Sequence, residues 1–184
     1  MLAPRLLPLP YRIGLGSKRL FANREMAYSE KRVIGFPREK MFDVVADVEQ
    51  YRHFIPWCRR SDILDEGENW RIAELEIGFP PLNESYRSRV TLVRPSVVHS
   101  VVIGESIFNT LETTFRFAED SEHSCVLHYD LVFEFKSRLH SRVAHLFFDK
   151  VVKTMVGAFL RRAEVVHGKP SVPHSQAQII NYRN

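Results

Sequence analysis

The sequence predicts an α+β fold in which a curved antiparallel sheet wraps around one long C-terminal helix. Three observations predict it. Apolar and polar residues alternate at period two from Ser61 to Lys136. The pattern then changes to the helical period over about 138–166. One short strand and a small helix pair precede the long run of strands.

The elements follow in order. Tyr28–Phe36 reads as a short strand mixing charged and apolar residues. Pro37 stands at a helix start, with Glu39 in the first turn favoured by the positive end of the helix dipole. Met41, Val44, Val45 and Val48 recur at helical spacing, so Pro37–Val48 is an amphipathic helix; a second short helix begins at Asp47–Tyr51 and stops before Pro56. Asn69–Ile77 is a strand with Ala73, Leu75 and Ile77 on one face, and Gly78–Asn83 is a turn-rich connection. Glu84–Val93 and Val97–Ile103 follow, then the alternation of Leu111, Thr113, Phe115 and Phe117. The longest strand places Cys125, Leu127, Tyr129, Leu131, Phe133 and Phe135 on one face, against His128, Asp130 and Glu134 on the other. In the final helix Ala144, Phe147, Phe148, Val151, Val152, Met155, Ala158 and Phe159 gather on one stripe, and Gly168 with Pro170 ends it.

A chain of 184 residues accommodates one domain with short tails. The expected division is a leader over 1–27, a folded domain over 28–168 and a disordered tail over 169–184. The net charge of +4 belongs to the leader: residues 1–24 hold five basic residues and no acid, which leaves 21 basic against 22 acidic, or −1, for the rest. The body therefore has no general bias toward polyanions, and no nucleic-acid partner is expected. An acid-free, arginine-bearing N-terminus with scattered apolar residues reads as a mitochondrial targeting segment removed on import. Gly14–Lys18 lacks the spacing of a phosphate loop. Two cysteines, Cys58 and Cys125, are too few for a disulfide framework.

No catalytic constellation emerges. The histidines form no metal motif, since His140 and His145 are five apart on a helix. Glu74, Glu76 and Glu84 flank the Gly78–Asn83 turn and offer either an acid–base set or solvated strand carboxylates. The large side chains of the sheet and the final helix either fill the space between them or line a pocket. Periodicity alone leaves both open.

The segments Met41–Val48, Tyr51–Cys58, Glu74–Phe79, Phe108–Thr113 and Phe147–Val152 resemble the coenzyme Q-binding proteins of mitochondria, in order over about 28–167, and the Phe-Ile-Pro-Trp-Cys string is specific. That family belongs to the START-like, polyketide-cyclase-related superfamily, whose helix-grip fold matches the element order. The resemblance implies a pocket that binds ubiquinone or its isoprenoid precursors, with no catalytic cofactor. It also implies a place at the matrix side of the inner membrane, in contact with its surface and with a quinone-synthesis complex. Other superfamily members act as cyclases or, in bacteria, as a ribosome-association toxin, so an enzyme acting on an aromatic intermediate and a ribosome-associated module are the alternatives. The inward faces, taken with the resemblance, nominate Leu75, Ile77, Tyr86, Val90, Phe115, Phe117, Tyr129, Leu131, Phe133, Met155 and Phe159 as ligand-binding. Tyr86 and Tyr129 face the expected interior, where each hydroxyl bonds either a partner within the protein or a quinone carbonyl. Phe54 and Trp57 are expected at the pocket mouth or on the membrane, or in a small satellite core beneath their loop. Leu139, Val143, Leu146, Val156 and Leu160, with Arg142, Lys153 and Arg161 nearby, give the outer side of the long helix features that suit an anionic membrane surface or a protein partner equally, or are scattered apolar residues without a role.

Overall fold

The computed structural model describes residues 25–80, 82–136 and 141–184, so the expected leader lies outside the described residues up to Arg24. The elements are β1 (Met26–Ile34), α1 (Arg38–Ala46), a 3₁₀ segment (Val48–His53), β2 (Cys58–Gly67), β3 (Trp70–Phe79), β4 (Leu82–Val93), β5 (Val97–Ile103), β6 (Phe108–Ser121), β7 (Ser124–Phe135), α2 (Ser141–His167) and β8 (Gln178–Arg183). The strands form one sheet in the order β2-β3-β4-β5-β6-β7-β1-β8. Every neighbouring pair is antiparallel.

Strict alternation makes β7 the centre of the core: Cys125, Leu127, Tyr129, Leu131, Phe133 and Phe135 are buried, with half-exposed residues between them. α2 lays its stripe against this face, burying Ala144, Phe147, Phe148, Val151, Val152, Ala158 and Phe159. Register shifts in the β2–β3 and β6–β7 pairings interrupt the ladder. Such bulges bend and twist a strand, which lets the sheet curve around a helix.

Folded structure begins earlier than expected, because Met26 pairs with Phe133 and is buried with Ala27. The residues expected to form a disordered tail are ordered. Ser171 N–H donates to the Gly35 carbonyl (2.8 Å) and Ser175 N–H to that of Val33 (2.9 Å), and β8 then pairs with β1 from Lys31 to Ala27. Gly35 permits this approach, since a Cβ there would lie 2.1 Å from the Val172 carbonyl oxygen. The driving force is the free edge of β1, whose backbone donors and acceptors find partners in the tail. Ending the chain at Lys169 is expected to lower the thermal midpoint and promote self-association through the bared edge. Calorimetry and light scattering check this, and an unchanged midpoint in a monomeric product would contradict it.

The outer side of α2 is less apolar than expected. Val156 (1% exposed) and Leu160 (7%) are core residues, whereas Leu146 is 66% exposed. α2 contacts both β7 and α1, so burial extends beyond one stripe. Leu139 lies outside the described residues. Behind the core, Glu30 is completely buried on the inner face of β1, accepting from Arg32 Nε (2.5 Å), from Arg32 Nη2 (3.1 Å) and from the Tyr28 hydroxyl.

Candidate functional site

Alternation brings one face of each central strand inward. β3 presents Leu75 and Ile77; β4 presents Tyr86, Ser88 and Val90; β5 presents Val98 and Ser100. β6 contributes Phe108, Leu111, Thr113 and Phe115, and β7 contributes Tyr129, Leu131 and Phe133. α2 faces them with Phe147, Val151, Met155 and Phe159, spaced four apart and therefore on one stripe. Val48, Tyr51 and the Ile55–Cys58 turn complete the wall of a cavity of about 120 Å³.

The void has a local cause. Ser100 opposes Thr113 across β5–β6 and Val90 across β4–β5, and its hydroxyl donates to Ser88 Oγ (3.1 Å). These small side chains stand where a packed core would carry large ones, so the sheet and α2 do not close on each other.

Ten of the eleven nominated residues line the cavity: Leu75, Ile77, Tyr86, Val90, Phe115, Tyr129, Leu131, Phe133, Met155 and Phe159. Phe117 does not. It is buried on the same face, one step along β6 beyond Phe115, where sheet and helices pack tightly. Trp57 lines the cavity, but Phe54 packs outside it against Tyr51 (5.8 Å between centroids), Phe159 (5.4 Å) and the Arg162 guanidinium (5.5 Å). Phe54 thus packs against the main core beside the cavity rather than at its wall. Sequence reading missed Ser88, Ser100 and Thr113, although each interrupts an otherwise apolar period-two face, which is the signal that betrays unfilled space.

No charged side chain lines the cavity among the described residues. Glu74 is on the outer face with Arg60 (2.8 Å) and Arg87 (3.2 Å), and Glu76 lies 3.9 Å from Arg60. Glu84 shares the inward parity of Tyr86 but does not reach the cavity wall. Arg71 donates to the Ala46 carbonyl (2.5 Å) and so caps the end of α1. Among the described residues no cluster of His, Cys, Asp or Glu is placed to hold a metal.

The polar atoms on the wall are neutral. Burial pushes the Cys58 thiol up to about 11, and its sulfur donates to the Arg60 carbonyl (3.3 Å). The Tyr51 hydroxyl donates to the Val45 carbonyl. Burial holds the hydroxyls of Tyr86 and Tyr129 well above the usual tyrosine range, so both stay protonated at neutral pH. Tyr129 is completely buried, and its hydroxyl has no partner among the described residues. An orphan donor of this kind costs about 1–3 kcal/mol until an acceptor arrives. Trp57 carries a second cost. Its backbone is left-handed (φ +70°), a conformation that costs a non-glycine residue about 1–3 kcal/mol, and it sets the indole edge-on to Phe79 (5.6 Å) and Phe147 (6.3 Å).

The sheet grips the helix around an apolar cavity with no charged side chain on its described wall and a buried, unanswered Tyr129 hydroxyl, a kind of pocket suited to a neutral hydrophobic molecule. Residues 34–160 match the model of the family described as polyketide cyclase / dehydrase and lipid transport, and the chain belongs to that family. It is 43% identical over 166 residues to the coenzyme Q-binding protein COQ10 homolog B, mitochondrial, of Xenopus laevis, an alignment covering 89% of this chain and 66% of that protein. The chain thus spans just under two-thirds of that relative's length. It is 30% identical over 136 residues to the ribosome association toxin RatA of Pseudomonas aeruginosa, covering 74% of this chain and 94% of the toxin. Among solved structures, the Zhui aromatase/cyclase of Streptomyces sp. R1128 shares the fold with a TM-score of 0.67 at 16% identity, over 76% of this chain and 94% of that one.

Proposed function

We propose that the chain binds ubiquinone or an isoprenoid precursor of it in this cavity, and chaperones or delivers it for quinone biosynthesis and respiratory electron transport. The observation that carries the reading is the uncharged cavity whose buried Tyr129 hydroxyl lacks an acceptor. A quinone ring supplies carbonyl and methoxy acceptors, and its hydrocarbon tail suits the apolar wall, each Å² of buried apolar area contributing about 25 cal/mol. The named ligand of the Xenopus relative supports the same choice. The absence of an ionisable acid–base pair on the described wall favours binding without turnover.

The relative's mitochondrial name and the acid-free N-terminus support a mitochondrial location, with the working site at the matrix face of the inner membrane. No helix of the described residues is long and apolar enough to cross a membrane. Exposed Leu146 with Lys150 and Lys153 on α2 supports peripheral contact with the membrane.

Titration of the purified chain with a short-chain ubiquinone tests the reading. The expected result is saturable one-to-one binding with the quinone recovered unchanged. Chemical conversion of an aromatic substrate would favour a cyclase, and cosedimentation with ribosomes without quinone binding would favour the function of the toxin relative.

A further inference from the structure

Strand register separates the two cavity tyrosines. Leu92, Val98, Phe115 and Tyr129 stand side by side across β4, β5, β6 and β7. Tyr86 lies six residues from Leu92 along β4, roughly 20 Å of extended strand. Their backbone positions therefore lie toward opposite ends of the cavity.

The ends differ in construction. At the Tyr129 end, Val98, Phe115, Tyr129 and Phe159 are all buried. Their rings close on one another, with Phe115–Tyr129 at 4.7 Å and Phe115–Phe159 at 5.0 Å, and Tyr51 backs Phe159 at 5.3 Å. At the other end, Tyr86 packs on Phe108 (5.6 Å), and the closure is the edge-on trio of Trp57, Phe79 and Phe147. Trp57 and Phe79 are partly exposed there, and Trp57 is held by its left-handed backbone. One end is a sealed floor carrying a donor without an acceptor. The other is a mouth of ring edges.

We propose that the ligand enters head first: an oxygen of the quinone ring accepts from the Tyr129 hydroxyl at the floor, and the tail leaves between Trp57, Phe79 and Phe147. The orientation rests on the quinone reading of the cavity. The reverse orientation sets hydrocarbon against the unanswered Tyr129 donor. Size points the same way. A cavity of about 120 Å³ is small beside the roughly 300–1,000 Å³ that encloses a drug-sized molecule, so it cannot enclose the ring together with a whole isoprenoid tail. The rest of the tail stays outside the mouth, in the bilayer. The protein then presents a headgroup whose lipid never fully leaves the membrane.

Nuclear magnetic resonance on the isotopically labelled full chain, with a ubiquinone of two isoprene units, tests the orientation. The expected result is magnetisation transfer from the ring methoxy protons to Tyr129, Phe115 and Phe159, and from the terminal isoprene methyls to Trp57 and Phe147. Methoxy contacts to Trp57 or Phe79 instead would overturn the proposal. The isosteric Tyr129→Phe is expected to weaken binding by about 2- to 10-fold, one lost hydrogen bond, and by more than Tyr86→Phe does. The opposite ranking overturns it as well. Failure of any ubiquinone to bind would overturn the quinone reading itself, and the orientation with it.

Discussion

Thr113→Phe is expected to abolish quinone binding, by more than about 100-fold, while leaving the protein as stable as the parent. Thr113 projects inward from the middle of β6, paired with Ser100 on one side and Leu131 on the other, into the cavity. A phenyl ring placed there occupies the space a ligand ring needs. It also fills void, and each Å³ filled recovers about 24 cal/mol, against an overpacking cost of about 1–3 kcal/mol if the ring meets Met155. These terms are of similar size, and phenylalanine suits a strand, so the thermal midpoint is expected to shift by only a few degrees. Paired binding and melting measurements separate ligand exclusion from unfolding. Full binding by the folded variant would place the ligand elsewhere on the protein.

Arg32→Met is expected to cause the largest loss of stability among single substitutions of charged residues, about 3–5 kcal/mol. Glu30 has no exposed surface, and its two carboxylate oxygens are held by the Arg32 guanidinium and the Tyr28 hydroxyl. Removing the cation leaves a buried carboxylate with one neutral donor. The double variant Glu30→Gln with Arg32→Met is expected to recover most of that loss, because a neutral amide is far cheaper to bury than an unpaired charge. Urea denaturation of the single and double variants reads both effects. Equal losses would mean that packing of the arginine stem, rather than the stranded charge, carries the cost.

The legible parts of the fold were those whose side chains face two different environments. β7 shows it most clearly, since every second residue from Cys125 to Phe135 is buried. The α2 stripe and the Pro37 helix start follow from the same logic of one buried face and one fixed φ. β2 and β8 were not legible because neither shows the alternation of buried and exposed residues that marks a strand. β2 is an edge strand with only Cys58 and Ser61 buried, and every residue of β8 is exposed. The same limit applies within the site. Period two places Phe115 and Phe117 on one face, but how far along β6 the void extends depends on the closing helices, which periodicity does not report.

The most direct test of the account is the identity of the lipid carried by the full chain when it is expressed in a eukaryotic cell and purified without added ligand. Solvent extraction followed by mass spectrometry is predicted to return ubiquinone or a prenylated precursor, approaching one molecule per chain in the wild type and none in Thr113→Phe. Recovery of phospholipid alone, or of no lipid from a folded wild-type protein, would contradict it.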